Sequence, residues 1–286
     1  MTTSSLPHFT FRNGLQVPLL GMGSWAMGDK QNQRKSEIES LQYGLDAGLR
    51  VIDTAEMYGN GRSEALVGDA LKGRRQKAFL VSKVLPSNAS YENTIRACER
   101  SLKHLQTDYL DLYLLHWRSA VPLKETVRAF EDLTKRGLIK AWGVSNFDCS
   151  DMEELDHVST NCLANQVLYS LEHRGIEYDL ISWNAKKNIA TMAYSPIGQG
   201  ADLIQHPTLK AIAAHHETSL GPASAAQIAL SWVLRHKNIL AIPKAGTLEH
   251  QKQNIAALEI QLTEKDLAEL ERAFPPPTHK VPLAVI

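Results

Sequence analysis

The chain has 286 residues, a length that suits one large α/β barrel better than two domains. Hydrophobic residues make up 43% and charged residues 22%, so the chain can bury a sizeable core and is not disordered by composition. Lysine plus arginine and aspartate plus glutamate both number 31, and that balance argues against nucleic acid or an acidic membrane as the main partner.

Taken in chain order, the opening MTTSSLPHFTFRNG has neither a basic leader nor an apolar signal core. Within it, FTFRNGLQVP reads as a two-stranded hairpin turning at Asn13-Gly14. Short apolar, β-branched runs then recur at 19–23, 51–55, 79–84, 109–116, 141–145, 164–168, 189–194 and 240–243. Shared among these eight runs, the 286 residues give about 36 each, the size of a βα unit. The stretches 36–47, 63–71, 90–105, 123–136, 148–158, 178–187 and 223–236 carry apolar residues at intervals of three and four, as amphipathic helices do. Ser63 and Ser90 stand where N-caps belong, and Gly48, Gly73 and Gly137 fall just past helix ends. VIDTA and YLDLYLLH are apolar enough to be covered on both faces, as in a parallel sheet under helices. Helices near 249–256 and 264–273 follow, the last opened by a Thr263/Asp266 capping box, and the tail PPPTHKVPLAVI is expected on the surface. Eight strands alternating with helices predict a (β/α)8 barrel: α/β class, one domain over 1–286, with the N-terminal hairpin plugging the barrel bottom.

No apolar run approaches the roughly 20 residues of a membrane span. The sparse cysteines, Cys98, Cys149 and Cys162, suggest no disulfide framework. Adjacent His215 and His216 point to different helix faces, so no metal site is expected. These features predict a cytoplasmic protein. With no apolar stripe left over, they also predict a monomer.

In such a barrel the working residues stand at the C-terminal ends of the strands. Those ends carry Asp53, with Tyr58 just beyond it, then Lys83, His116-Trp117, Ser145-Asn146, Asn165-Gln166, Tyr194-Ser195 and Lys244. An acid, a phenol, an amine and an imidazole thus converge on one mouth. The chemistry this allows is proton donation to a reducible group. A phenol, with a pKa of about 10, needs a neighbouring ammonium to stabilise its phenolate, and a buried ammonium needs a counter-ion. Tyr58, Lys83 and Asp53 fill those three parts, and His116 orients the carbonyl. Each residue alone is more often structural; the case rests on all four falling at one rim. Gly21, Gly23 and Ala26 match a dinucleotide-binding G-x-G-x-x-G/A pattern, but the residues after them do not open an amphipathic helix, so that reading is set aside.

With those residues in place, the sequence resembles the aldo-keto reductases. Asp53, Tyr58, Lys83 and His116 are similar to that family's catalytic tetrad. The words GMGSW, IDTAEMYGN, LLHW, GVSNF, NQV, AYSPIG and IPKAGTLEHQKQN follow in the family's order. DTAEMY, VSKV and SLEHRGIEYDL resemble a bacterial subgroup associated with methylglyoxal reduction. The resemblance implies an NADPH-dependent reductase of small aldehydes and α-ketoaldehydes, with Tyr58 as proton donor. It implies that the nicotinamide stacks on Tyr194 while Ser145, Asn146 and Gln166 bind its carboxamide. Asp53, Gly23, Ser24 and Trp25 would approach the cofactor from the first strands. Ser195, Pro196, Ile197 and Gln199 would follow the pyrophosphate and ribose, and Lys244, Ala245, His250 and Asn254 would hold the adenosine end. Trp25, Tyr58, His116 and Trp117 would line the substrate pocket.

Two departures stand out. Where the family pattern has serine after the lysine and arginine six residues beyond it, this chain has Ala245 and His250. Both changes weaken the clamp on a 2′-phosphate, so NADH is a possible, weaker cofactor. The segments after His116 and at the C-terminus are short, which predicts an open pocket. Two rival readings remain at this level: an NADPH-sensing binding module with slow turnover, and a phosphate-binding barrel isomerase without a redox cofactor.

Overall fold

A computed structural model describes residues 6–199 and 202–286. The first five residues, part of the leader-free reading, lie outside that description. The hairpin forms as expected from β1 (His8–Thr10) and β2 (Gln16–Pro18), with Phe9 opposite Val17 and Gly14 in the left-handed region.

The chain continues through β3 (Met22–Gly23), α1 (Arg34–Asp46), β4 (Val51–Asp53), α2 (Arg62–Ala70), β5 (Phe79–Val84), α3 (Tyr91–Leu105), β6 (Leu112–Leu115) and α4 (Leu123–Lys135). Next come β7 (Trp142–Ser145), α5 (Cys149–Val158), β8 (Ala164–Leu168), α6 (Leu180–Lys186), β9 (Ala190–Tyr194) and β10 (Pro196–Gln199). The remainder is α7 (Pro207–Ala213), the ribbon β11 (Glu217–Thr218) and β12 (Gly221–Pro222), α8 (Ala225–Leu234), β13 (Ile239–Ala241), α9 (Leu248–Ala256) and α10 (Glu264–Ala273).

Eight strands pair in parallel in the order β13-β9-β8-β7-β6-β5-β4-β3. The circle closes where Leu20 bridges Ala241 and Gly23 bridges Lys244. Glycine is needed at that seam, because a Cβ on residue 23 would stand 2.7 Å from the Ile242 carbonyl oxygen.

Side chains alternate across each strand. Ile52, Leu80, Tyr113 and Val144 turn outward under the helices, while Val51, Val81, Leu112, Leu114 and Met192 fill the barrel. Phe11 and Val17 of the hairpin join that inner cluster, and Phe11 stacks on Phe79 with ring centroids 5.4 Å apart. Burying the Phe11 ring is worth about 2 kcal/mol, which fixes the hairpin as the plug at the strands' N-terminal ends. One more step of the inward period leads from Val51 to Asp53, from Val81 to Lys83, from Leu114 to His116, from Ala164 to Gln166 and from Met192 to Tyr194. The apolar floor thus gives way to a polar mouth.

Several local expectations change. Ser63 is not an N-cap: α2 begins at Arg62 behind a left-handed Gly61, and the buried Ser63 hydroxyl donates to Ser24 Oγ (2.8 Å). Ser90 holds the N-cap position of α3 without a side-chain capping bond, whereas Thr263 and Asp266 form the full capping box. Gly48, Gly73 and Gly137 all have positive φ. The sequence patterns do not signal α7, β10 or the β11–β12 ribbon; these elements are too short to establish a period. No helix among the described residues is long and apolar enough to cross a membrane.

Candidate active site

Four strand ends build the centre. Asp53 ends β4, Lys83 stands near the end of β5, His116 follows β6 and Gln166 lies on β8. Lys83 is fully buried, with Nζ 2.7 Å from Asp53 Oδ2, 2.8 Å from the Thr54 carbonyl oxygen and 3.2 Å from Tyr58 Oη. The other Asp53 oxygen accepts a bond from Gln166 Nε2 at 2.7 Å. A buried ammonium and carboxylate are tolerable only when each is paired and hydrogen-bonded, and here both are.

Burial acts to lower the Lys83 pKa, but the Asp53 carboxylate and Tyr58 outweigh it and raise the value, so the amine stays charged. Burial raises the Asp53 pKa, and the Lys83 charge opposes it. Burial also raises the Tyr58 pKa, again against Lys83. The neighbouring ammonium expected from the sequence is in place and acts to lower the phenol's value, but desolvation outweighs it. The resting phenol is therefore protonated at neutral pH, and the Lys83 ammonium stands where it would stabilise a phenolate.

His116 completes the mouth. Its ring lies 5.8 Å from the Tyr58 ring and 4.2 Å from the Trp117 ring, edge-on to both. Burial, with the Lys83 charge second, pushes its pKa down to about 2. The imidazole is thus neutral, suited to a hydrogen bond with a carbonyl oxygen rather than to charge stabilisation. Trp25, 60% exposed, and Trp117, half-buried, stand at the rim. Only the short segment 117–122 separates His116 from α4.

The residues expected around a cofactor divide into two groups. Ser145, Asn146, Gln166 and Tyr194 meet beside the tetrad. Ser145 Oγ donates to the Gln166 carbonyl oxygen (2.8 Å), Asn146 Nδ2 donates to the His116 carbonyl oxygen (3.1 Å), and the Tyr194 hydroxyl donates to Asn146 Oδ1 (2.9 Å). Asn146 and Ser195 both hold left-handed backbones, at φ 57° and 46°, strain of a kind that collects at functional sites. Pro196, Ile197 and Gln199 lie on β10. At the barrel seam, Lys244 is exposed and forms no ion pair among the described residues, while Ala245 is buried. Thr247 caps α9 by accepting the His250 N–H, and the His250 side chain is exposed; Asn254 is buried further along that helix. An unpaired cation beside a helix N-terminus is chemistry that suits a phosphate. Gly23 is in place at the seam. The Ser24 hydroxyl, however, turns inward and donates to the Asp53 carbonyl oxygen (2.8 Å), so it braces the site from below.

The sequence reading missed three contributors. The Thr54 carbonyl is a direct Lys83 partner, and Met57, 47% exposed, flanks Tyr58. The tail also returns to the site: Lys280 pairs with Asp179 (3.3 Å), Leu283 packs on the core, and the Ile286 backbone lies beside the Tyr194 hydroxyl, whose pKa burial pushes up to about 12. Contacts this distant in sequence leave no local signal.

The geometry agrees with what comparisons with known proteins find. The model of the "Aldo/keto reductase family" matches residues 19–274. The methylglyoxal reductase YeaE of Escherichia coli is 46% identical over 278 residues, 96% of this chain and 98% of that protein. A glyoxal reductase of Bacillus subtilis is 34% identical over 275 residues, 95% of this chain and 94% of that one. An aldo-keto reductase from Klebsiella pneumoniae, solved in complex with NADPH, superposes with a TM-score of 0.93 at 46% identity, covering 99% of this chain and all of its own. Barrel, tetrad geometry and likeness over nearly the full length agree: the chain belongs to the aldo/keto reductase family.

Proposed function

We propose that this protein reduces small aldehydes and α-ketoaldehydes of the methylglyoxal kind to alcohols, with NADPH as cofactor and NADH as a weaker substitute. The observation that carries the reading is the contact chain from Asp53 through Lys83 to the Tyr58 hydroxyl, 2.7 Å and then 3.2 Å, beside a neutral imidazole. The names of the relatives and the NADPH-bound Klebsiella structure support the substrate class and the cofactor.

When bound, NADPH supplies the hydride. In this reading Asp53, Tyr58, Lys83 and His116 are the catalytic residues. His116 hydrogen-bonds the substrate carbonyl oxygen and sets its orientation. Tyr58 gives its proton to that oxygen as negative charge develops, and Lys83 takes up the charge of the phenolate. Asp53 keeps Lys83 charged and in place. Tyr194 offers its ring face to the nicotinamide, with Ser145, Asn146 and Gln166 at the carboxamide. Gly23, Ser24, Trp25 and Asp53 approach from the first strands. Ser195, Pro196, Ile197 and Gln199 follow the pyrophosphate. Lys244, Ala245, His250 and Asn254 hold the adenosine end, with Lys244 the main basic contact. Trp25 and Trp117 join Tyr58 and His116 around the substrate, in a mouth that the short segment 117–122 leaves open on that side.

We further read the chain as one barrel domain acting as a cytoplasmic monomer. Support comes from the balanced charge and from the apolar residues that the two core clusters take up. The test is NADPH consumption with a panel of small aldehydes and α-ketoaldehydes, repeated with NADH, alongside sizing of the pure protein. Turnover within the ordinary enzymatic range, about 1–10³ s⁻¹, supports the reading. NADPH binding with turnover orders of magnitude slower contradicts it.

A further inference from the structure

The turn that follows Tyr58 takes an unusual path. Gly59, Asn60 and Gly61 are all left-handed, at φ 57°, 53° and 87°, and a Cβ on residue 61 would overlap the His104 imidazole. A non-glycine residue in that region costs free energy and persists only where its surroundings over-determine it. Two residues before Tyr58, the largely buried Glu56 carboxylate supplies such a constraint. Its Oε1 accepts the Leu85 backbone N–H (2.7 Å) and Asn88 Nδ2 (2.9 Å), and its Oε2 accepts Arg100 Nη2 (3.2 Å). The Glu56 backbone N–H also donates to the Lys83 carbonyl oxygen (3.3 Å).

These bonds close a small ring. Glu56 lies two residues before Tyr58, and Leu85 lies two residues after Lys83. The Glu56–Leu85 bond therefore spans the same gap as the contact between Tyr58 Oη and Lys83 Nζ. That contact, at 3.2 Å, is long for a hydrogen bond to a charged group and has little slack before it is lost.

We infer that Glu56 is a positioning residue: its carboxylate ties the Tyr58 turn to the exit of the Lys83 strand and sets the distance between the phenol and the ammonium. The inference rests on the reading of Tyr58 as proton donor. Glu56→Ala removes the tie. Glu56→Gln keeps an oxygen that can accept the Leu85 and Asn88 N–H groups; it loses the charge and the acceptor facing Arg100, whose exposed side chain can turn to solvent. In Glu56→Ala, kcat should fall about 10–100-fold, part of what losing a general acid costs, while aldehyde KM and NADPH Kd stay within about threefold. Glu56→Gln should recover most of kcat. A role confined to folding would lower Tm without this split and without the rescue.

Crystal structures of both variants read the distance itself. Tyr58 Oη should lie beyond hydrogen-bond reach of Lys83 Nζ, more than about 3.5 Å, in Glu56→Ala and return to the wild-type distance in Glu56→Gln. If Glu56→Ala does not fold, Glu56→Asp, one methylene too short to reach the Leu85 N–H from the same backbone, decides in its place: a fall in kcat at constant KM supports the inference, and wild-type kcat overturns it. An unmoved Tyr58 or an unchanged kcat in Glu56→Ala overturns it as well. Wild-type turnover tests the functional reading separately, because the tyrosine–lysine distance in the variants decides the inference whether or not an aldehyde is reduced.

Discussion

Lys83 Nζ lies 3.2 Å from the Tyr58 hydroxyl at a depth where the lysine side chain has no exposure to solvent. An ammonium so placed cannot be screened by water. It is the counter-ion of Asp53 and stands where it would stabilise a Tyr58 phenolate.

Lys83→Met should therefore fail in two ways. It leaves the Asp53 carboxylate buried with Gln166 as its remaining side-chain partner, a change that costs about 3–5 kcal/mol in comparable buried pairs. It also removes what makes the phenol an adequate donor at neutral pH. Urea unfolding and steady-state kinetics on one preparation check both effects, and normal activity in a folded variant would refute the pairing.

His116 predicts a pH effect on stability. Its folded pKa, pushed down to about 2, lies below the value of about 6.5 expected when unfolded. Between those values the unfolded chain binds a proton that the folded chain does not. The stability from this group is thus complete above about pH 6.5 and is lost progressively as the pH falls below it. His236, pushed down to about 4, adds an effect of the same sign. Replacing His116 with Gln should flatten the stability–pH slope between pH 6 and 5 by about 1 kcal/mol per pH unit. Parallel slopes for the two proteins would mean that His116 protonates in the folded state.

The adenosine end offers a test of cofactor choice. Arginine grips phosphate through a charged, bidentate fork that histidine lacks. His250→Arg should tighten NADPH binding about tenfold and leave NADH nearly unchanged. Lys244→Ala should weaken NADPH much more than NADH. Fluorescence titration with both cofactors measures this, and equal NADPH Kd values for wild type and His250→Arg would place residue 250 away from the 2′-phosphate.

Much of this architecture is legible in the sequence for a physical reason. Inward positions recur every second residue, so the period that marks Val81 as core also marks Lys83 as the polar end of the same strand. The eight barrel strands and the inward Asp53, Lys83 and His116 follow from that alternation; Tyr58, in the loop beyond β4, is marked by its resemblance to the family's tetrad, and the hairpin by its Asn13-Gly14 turn. The edges are less legible. At 19–23 only Met22–Gly23 pairs as a strand with β4; Leu20 and Gly23 meet the last strand through single bridges to Ala241 and Lys244. Ser63 carries the side chain of an N-cap, but Gly61 and Arg62 start the helix earlier and its hydroxyl serves Ser24 instead. The return of the tail to Tyr194 depends on contacts across nearly a hundred residues, which no window of sequence contains.

The most direct measurement is the pairing of turnover with cofactor binding in Tyr58→Phe. The substitution removes one hydroxyl and keeps the ring against Lys83 and His116. Reduction of methylglyoxal by the variant should fall about 10²–10⁴-fold while NADPH Kd stays near the wild-type value. Retention of more than about a third of wild-type turnover, far outside that range, would contradict the assignment of Tyr58 as the proton donor and the account built on it.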